Sequence, residues 1–234
     1  MAFTDDLTAE VVKILKEQWQ TRDGNKVPDT PELKLANDAV KLNGTVLYAD
    51  LADSTGLVML QTPGFVAEVY KCYLNCACRI IREKGGEITA FDGDRVMAVF
   101  LGDGMATRAC RAALAINHAV VKILNPKVRE QYPKLPADFA IKQAVGIDMS
   151  PLFVARTGIR GANDLVWVGR AANIAAKLCS LREGNYATYI TNDVYAAADN
   201  TVKTSSDGKS SMWESNPQSV RNLTVYRSSW HWGL

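Results

Sequence analysis

Histidine is almost missing from this 234-residue chain, which has only His118 and His231. The five cysteines, Cys72, Cys76, Cys78, Cys110 and Cys179, make an odd set, and Cys76-Ala77-Cys78 has the wrong spacing for a zinc knuckle. A Cys/His metal centre therefore has no support. The thiols are expected to be buried, unpaired and in a reducing compartment. Basic runs are also missing and the formal net charge is only +2, so there is no footprint for a nucleic-acid partner. No apolar stretch reaches spanning length. The N-terminus carries Asp5, Asp6 and Glu10 in place of a basic end and an apolar run, so neither a signal peptide nor a membrane partner is expected. A cytoplasmic globular protein remains, 47% apolar and 22% charged, with ample length for one core. A small anionic ligand held by local geometry is compatible with that balance.

Periodicity sets the organisation of what is present. Thr4 to Gln20 has a candidate N-cap, early acids, and Leu7, Val11, Ile14 and Leu15 at the spacing of an amphipathic helix. Thr21 to Thr30 is polar, holds Gly24 and Pro28, and reads as a linker. The division expected is residues 1–41 as helix and linker, and 42–234 as the main domain. Gly44 to Leu51 reads as a buried strand, and Phe65 to Lys84 as a long helix ended by Gly85-Gly86. Glu87–Phe91 and Arg95–Phe100, joined through Asp92-Gly93, make a hairpin.

A second helix runs from Met105 to Leu124, and Pro126, Pro133 and Pro136 mark a loop. Ala140–Met149 and Phe153–Ala155 read as two strands, followed by a Gly- and Arg-rich loop over Arg156–Asn163. Leu165–Val168 is a short strand, Gly169 opens a helix through Leu181, and Ala187–Ile190 and Asn222–Arg227 close the pattern. The order β-α-ββ-α-β-β-α-β predicts an α+β fold with helices covering one main sheet.

Three short segments carry chemistry. Asp50 ends an apolar strand, where a carboxylate is costly to bury without a partner, and Asp94 follows the hairpin turn. Carboxylates at the tips of adjacent strands can hold two Mg²⁺ or Mn²⁺ ions, which also take substrate phosphates. Asp92-Gly93-Asp94 is equally readable as a plain type I′ turn. Leu51-Ala52-Asp53-Ser54-Thr55-Gly56 has the small residues and hydroxyls that let backbone N–H groups face a phosphate. It is also readable as a helix cap through Ser54 or Thr55. In Gly169-Arg170-Ala171-Ala172-Asn173-Ile174-Ala175-Ala176-Lys177, Asn173 and Lys177 share a helix face. They can orient a ribose and stabilise charge on a phosphoryl group, or form a solvated polar stripe.

Together and in this order, the three segments resemble class III adenylate and guanylate cyclases over Leu42 to Arg227. Tyr48 to Gly56 resembles the family's first metal-aspartate motif, and Phe91 to Ala98 the second. Gly169 to Lys177 is similar to its Gly-x-x-x-Asn-x-x-x-Arg helix, with Lys177 in the arginine's place. The resemblance implies a ferredoxin-like βαββαβ core with an antiparallel-rich sheet covered by helices. It implies two divalent metal ions at Asp50, Leu51 and Asp94, and catalytic roles for Asn173 and Lys177. Phosphate contacts would come from Ser54, Thr55, Gly56 and Arg221. Metal aspartates on one protomer and the Asn helix on the other would make a homodimer with composite sites.

The departures bear on substrate. The family's purine-reading lysine corresponds to Ala90, and its second base reader to Val166; neither side chain can make a hydrogen bond. Tyr48, on the strand face of Asp50, is either a core tyrosine or a bulky residue that narrows the base pocket. Arg156 through Asn173 resembles the bacterial pyrimidine cyclases of the Pycsar anti-phage systems, which also carry lysine at the position of Lys177. That branch implies UTP or CTP as substrate, cyclic UMP or CMP as product, and a separate effector. A purine cyclase with an altered pocket and an inactive nucleotide-sensing module are the alternatives.

Overall fold

The computed structural model describes residues 2–233. One nine-stranded sheet organises them. Its strands are β1 (Gln20–Asp23), β2 (Asp38–Leu51), β3 (Glu87–Asp92), β4 (Arg95–Leu101), β5 (Gln143–Ile159), β6 (Ala162–Val168), β7 (Thr188–Thr191), β8 (Glu214–Ser215) and β9 (Val225–Ser228). The order across the sheet is β3-β4-β2-β5-β7-β9-β8, with β1 beside β2 and β6 beside β5. The helices are α1 (Phe3–Lys16), α2 (Ser54–Leu60), α3 (Pro63–Glu83), α4 (Met105–His118), α5 (Asn125–Gln131), α6 (Arg170–Leu178) and α7 (Asn192–Ala197). A π-helical stretch, Ala119–Leu124, joins α4 to α5.

Strand alternation divides the core into two faces. Leu47, Ala49 and Leu51 of β2 and Val96, Ala98 and Phe100 of β4 point to the side covered by α3 and α4. Val40, Leu42, Val46, Met97 and Val99 point to the opposite side, where Ala171, Ala172 and Ala175 of α6 pack. The small residues of α6 let it approach the sheet closely, and Gly146 of β5 makes the approach possible. A Cβ on Gly146 would overlap the Ala175 carbonyl oxygen and the Cys179 backbone nitrogen.

The N-terminal helix forms over Phe3–Lys16, but no residue of it is buried. The stretch expected as a linker supplies β1, which pairs in parallel with Asp38–Lys41 of β2. Strand β2 therefore starts before Gly44, and the boundary expected at residue 42 falls inside it. Leu33, upstream of that boundary, is fully buried in the α6-side core. The two strands expected at 140–149 and 153–155 are one strand, β5, with Pro151 inside it. Proline is tolerated because β7 pairs with Val145–Ile147 and β6 with Phe153–Ile159, leaving Pro151 without a neighbour on that side. The expected loop 156–163 is instead the end of a β5–β6 ribbon. The thiols are all free, as expected. Burial is not uniform, however: Cys110 and Cys179 are buried, Cys76 and Cys78 half-buried, and Cys72 exposed.

Gly146→Ala tests the close contact of α6 with β5. The expected loss is about 1–3 kcal/mol of unfolding free energy in a urea titration; an unchanged midpoint would show that α6 has room to shift.

Candidate active site

Asp50 is the last but one residue of β2 and is only 7% exposed. Two arginines meet it. Arg95 Nη2 and Arg182 Nη2 each donate to Asp50 Oδ2 at 3.2 Å. Arg95 reaches it because β4 runs antiparallel beside β2, with Ala49 opposite Val96. Arg182 comes from the segment after α6 and also donates to the Leu51 carbonyl at 3.1 Å.

Asp94 lies in the two-residue turn of the β3–β4 hairpin, where Asp92 pairs with Arg95 and Gly93 takes a positive φ of 60°. The hairpin forms where the sequence places it, but its turn is Gly93-Asp94 and not Asp92-Gly93. Asp92 belongs to β3, and Asp94 sits in the turn and not after it. Only Gly93 takes a positive φ, so the turn is not type I′. Burial raises the Asp94 carboxyl above the usual carboxylate range, and the Asp50 charge adds to this. The Asp94 backbone amide and the Ser54 hydroxyl pull the other way. Asp94 Oδ2 is buried with no hydrogen-bond partner. Beneath this pair lies Tyr73 of α3, wholly buried with an unpartnered hydroxyl. Burial, then the Asp50 charge, hold its hydroxyl in the neutral form.

This donor set fits hard divalent cations. No cluster of three or more His, Cys, Asp or Glu occurs among the described residues. Two carboxylates and the Leu51 carbonyl are nonetheless the kind of oxygen set that Mg²⁺ or Mn²⁺ completes with water and phosphate. The unpartnered Asp94 oxygen is what such an ion would satisfy.

The turn after β2 caps α2, but through Asp53 rather than Ser54 or Thr55. Asp53 sits at φ 57° and its carboxylate accepts from the Gly56 N–H at 3.3 Å. Ser54 and Thr55 are left out of the cap, while the Gly56 N–H is taken by it. A Cβ on Gly56 would collide with the Asp53 carboxylate, so glycine there serves the cap. The turn forms one wall of a cavity of about 660 Å³, lined also by Lys142 and Arg182.

Asn173 and Lys177 share one exposed face of α6, as their spacing requires. Asn173 donates to the Gly169 carbonyl at 3.4 Å, and neither residue pairs with Asp50 or Asp94 of its own chain. Tyr48 and Ala90 pack against the same α6-side core, and Ala90 follows a register shift in β3. Val166 stands apart on β6, 38% exposed. Arg221 lies on an exposed turn at φ 52° and is not among the residues lining the cavity.

Sequence reasoning missed Arg95, Arg182 and Tyr73. Arg95 was within reach, since the hairpin register sets it beside Asp50; Arg182 has no local signal. It also missed the anchor of α6. Arg170 Nε and Nη2 donate to the fully buried Asp148 at 3.0 and 3.1 Å, and Nη2 to Asp193 at 2.6 Å. Thr191 donates to Asp148 at 2.6 Å.

Replacing the orphaned carboxylate with an amide should separate stability from function. Asp94→Asn is expected to stabilise the protein in EDTA by about 1 kcal/mol, read from thermal unfolding, while removing activity. A lowered midpoint would show that the carboxylate has a structural partner.

Comparisons with known proteins bear on the fold and the family. No family model matches the chain. It is 50% identical to a uridylate cyclase of Xanthomonas perforans over the whole of both chains. It is 44% identical to a uridylate cyclase of Burkholderia cepacia, covering 99% of each, and 38% identical to one of Rhodovulum, covering 98% of this chain and 97% of the relative. Among solved structures, the guanylyl cyclase Cya2 superposes with a TM-score of 0.65 at 21% identity, over 80% of this chain and 91% of that one. The adenylyl cyclase CyaB of P. aeruginosa gives 0.62 at 22%, over 81% and 95%. The α+β fold is that of the class III nucleotidyl cyclases, and by full-length similarity the chain belongs to the uridylate cyclase family.

Proposed function

We propose that the protein converts UTP, in preference to CTP, into the 3′,5′-cyclic monophosphate and pyrophosphate. The observation that carries this reading is the pairing of Asp50 with Asp94, whose buried oxygen has no partner. The relatives named uridylate cyclase support the pyrimidine, as do Ala90 and Val166, which offer no hydrogen bond to a purine.

Asp50, Asp94 and the Leu51 carbonyl would hold two Mn²⁺ or Mg²⁺ ions, which when bound ease loss of the ribose 3′-hydroxyl proton and offset charge on pyrophosphate. The bond formed runs from the 3′-oxygen to the α-phosphorus, and the bond broken joins that phosphorus to the oxygen bridging to the β-phosphate. The hydroxyl proton leaves to water. Ser54 and Thr55, which the cap leaves out, are assigned to the triphosphate together with Arg221. Gly56 keeps its N–H on Asp53 and shapes the turn, and Tyr48, Ala90 and Val166 are assigned to the base. Asn173 orients the ribose and Lys177 places a point charge at the transferring phosphoryl group, without the bidentate fork of an arginine. Both are exposed and unpaired with the aspartates of their own chain, which supports a homodimer with two composite sites. In this reading the enzyme acts in the cytoplasm, and its cyclic product activates a separate effector in bacterial anti-phage defence.

The purified protein incubated with each of the four ribonucleoside triphosphates and Mn²⁺ should yield mainly cyclic UMP by mass spectrometry, and none in EDTA. A main product of cyclic AMP or GMP would remove the pyrimidine reading; no cyclic product would remove the enzyme. Asp50→Ala and Lys177→Ala should each lower the rate at least about a hundredfold. Mixed together they should recover part of it; exchange of subunits without recovery would show that each site is built from one chain.

A further inference from the structure

Asp50 is already paired with a cation from an unexpected place. Arg182 lies beyond the end of α6 and turns back to the sheet, where its Nη2 donates to Asp50 Oδ2 at 3.2 Å and to the Leu51 carbonyl at 3.1 Å. Its Nη1 is held by the carbonyls of Cys179 at 2.6 Å and Leu181 at 2.8 Å. The two acceptors of Nη2 are the ones assigned above to a divalent ion. Arg95 also reaches Asp50 Oδ2, but from β4 and without the Leu51 carbonyl. A guanidinium and a metal ion cannot both hold Oδ2 and the carbonyl, since two cations at contact distance in a poorly solvated site repel strongly.

The surroundings show where the displaced side chain goes. Arg182 is 36% exposed and lines the cavity of about 660 Å³ that begins at the Ser54 turn. The other carboxylates on that cavity are engaged: Asp53 caps α2, and Glu183 accepts from Arg227 and Asn216. The remaining polar lining near the turn includes Ser54 and Lys142, neither of them an anion. A guanidinium released from Asp50 therefore meets only carboxylates that already hold a donor, Asp53 and Glu183, and a phosphate there would supply a stronger, bidentate partner.

We propose that Arg182 is a substrate-binding residue that works by exchange: it holds Asp50 and the Leu51 carbonyl in the free protein and moves to the nucleotide's phosphate oxygens when metal enters. This rests on Asp50 and Asp94 being the metal pair. Metal and triphosphate then bind with positive coupling, because the phosphates stabilise the arginine that the metal displaces, and by linkage each tightens the other.

The test reads binding, not turnover. Mn²⁺ affinity of wild type, Asp50→Ala and Arg182→Ala is measured by electron paramagnetic resonance, with and without 3′-deoxyuridine triphosphate, which lacks the attacking hydroxyl. Arg182→Ala should bind Mn²⁺ alone about fivefold tighter than wild type, and the nucleotide about tenfold more weakly at saturating Mn²⁺. Its metal–nucleotide coupling should shrink accordingly. Arg182→Lys keeps a cation but cannot span both acceptors, so it should also bind Mn²⁺ more tightly; it serves if the alanine variant does not fold by circular dichroism. Wild-type binding of Mn²⁺ with no gain in either variant, or unchanged nucleotide affinity, overturns the exchange alone. Mn²⁺ binding that is missing from wild type even with nucleotide, or that Asp50→Ala leaves intact, overturns the metal-pair reading together with the exchange.

Discussion

The attachment of α6 to the sheet rests on a buried ion pair. Asp148 is fully buried on β5, and its carboxylate accepts two bonds from Arg170 and one from Thr191. Burying a charge is costly, and only this degree of satisfaction makes it tolerable. Removing Arg170 alone would leave the carboxylate uncompensated, a loss of about 3–5 kcal/mol in buried pairs of this kind. The pair fixes where α6 begins, and Gly146 fixes how closely it lies. Asn173, Lys177 and Arg182 inherit their positions from that placement. A second aspartate–arginine contact, Asp50 with Arg182, ties the segment after the helix back to β2. The helix is thus anchored at both ends, by contacts whose carboxylates differ in depth: the Asp148 side chain is wholly enclosed and that of Asp50 is 9% exposed, while the two arginines are similarly open.

That inequality matters for chemistry. The enclosed pair is structural, because nothing can reach Asp148 to compete with Arg170. The contact at Asp50 opens to the cavity through Arg182 and Leu51, which line it. Around Asp50 and Asp94 the charges balance, two carboxylates against Arg95 and Arg182, yet the balance is uneven: both arginines bond Asp50 and neither bonds Asp94. An unpaired, half-buried carboxylate is a cost to folding that a binding site keeps because it uses it.

The side proposed to receive the base follows from strand geometry. Tyr48 lies two residues before Asp50, so both belong to the α6 side of β2. Ala90 reaches the same core after the register shift in β3, a local irregularity of the kind that re-aims a side chain next to a site. Under the proposed function Ala90 offers a base shape alone, so discrimination among bases would fall to pocket width and to polar groups other than Ala90.

The sequence by itself determined the features that depend on local periodicity. The apolar run Gly44–Leu51 marked a buried strand with Tyr48 on the face of Asp50, Asp92-Gly93-Asp94 marked the hairpin, and the i,i+4 spacing put Asn173 and Lys177 on one side of α6. Each is a consequence of backbone geometry over a few residues, so residue type and spacing suffice. The tertiary structure decided the rest. Polar Gln20–Asp23 became a strand because β2 offered it a free edge, which no local propensity reveals. Asp53, not its neighbours, took the cap because the backbone there turned to φ 57°. Arg182 met Asp50 across 132 residues, and Arg170 met Asp148 across 22. Charged side chains find such partners only after the helices have docked and water has left, so the pairing is a property of burial and not of the order of residues.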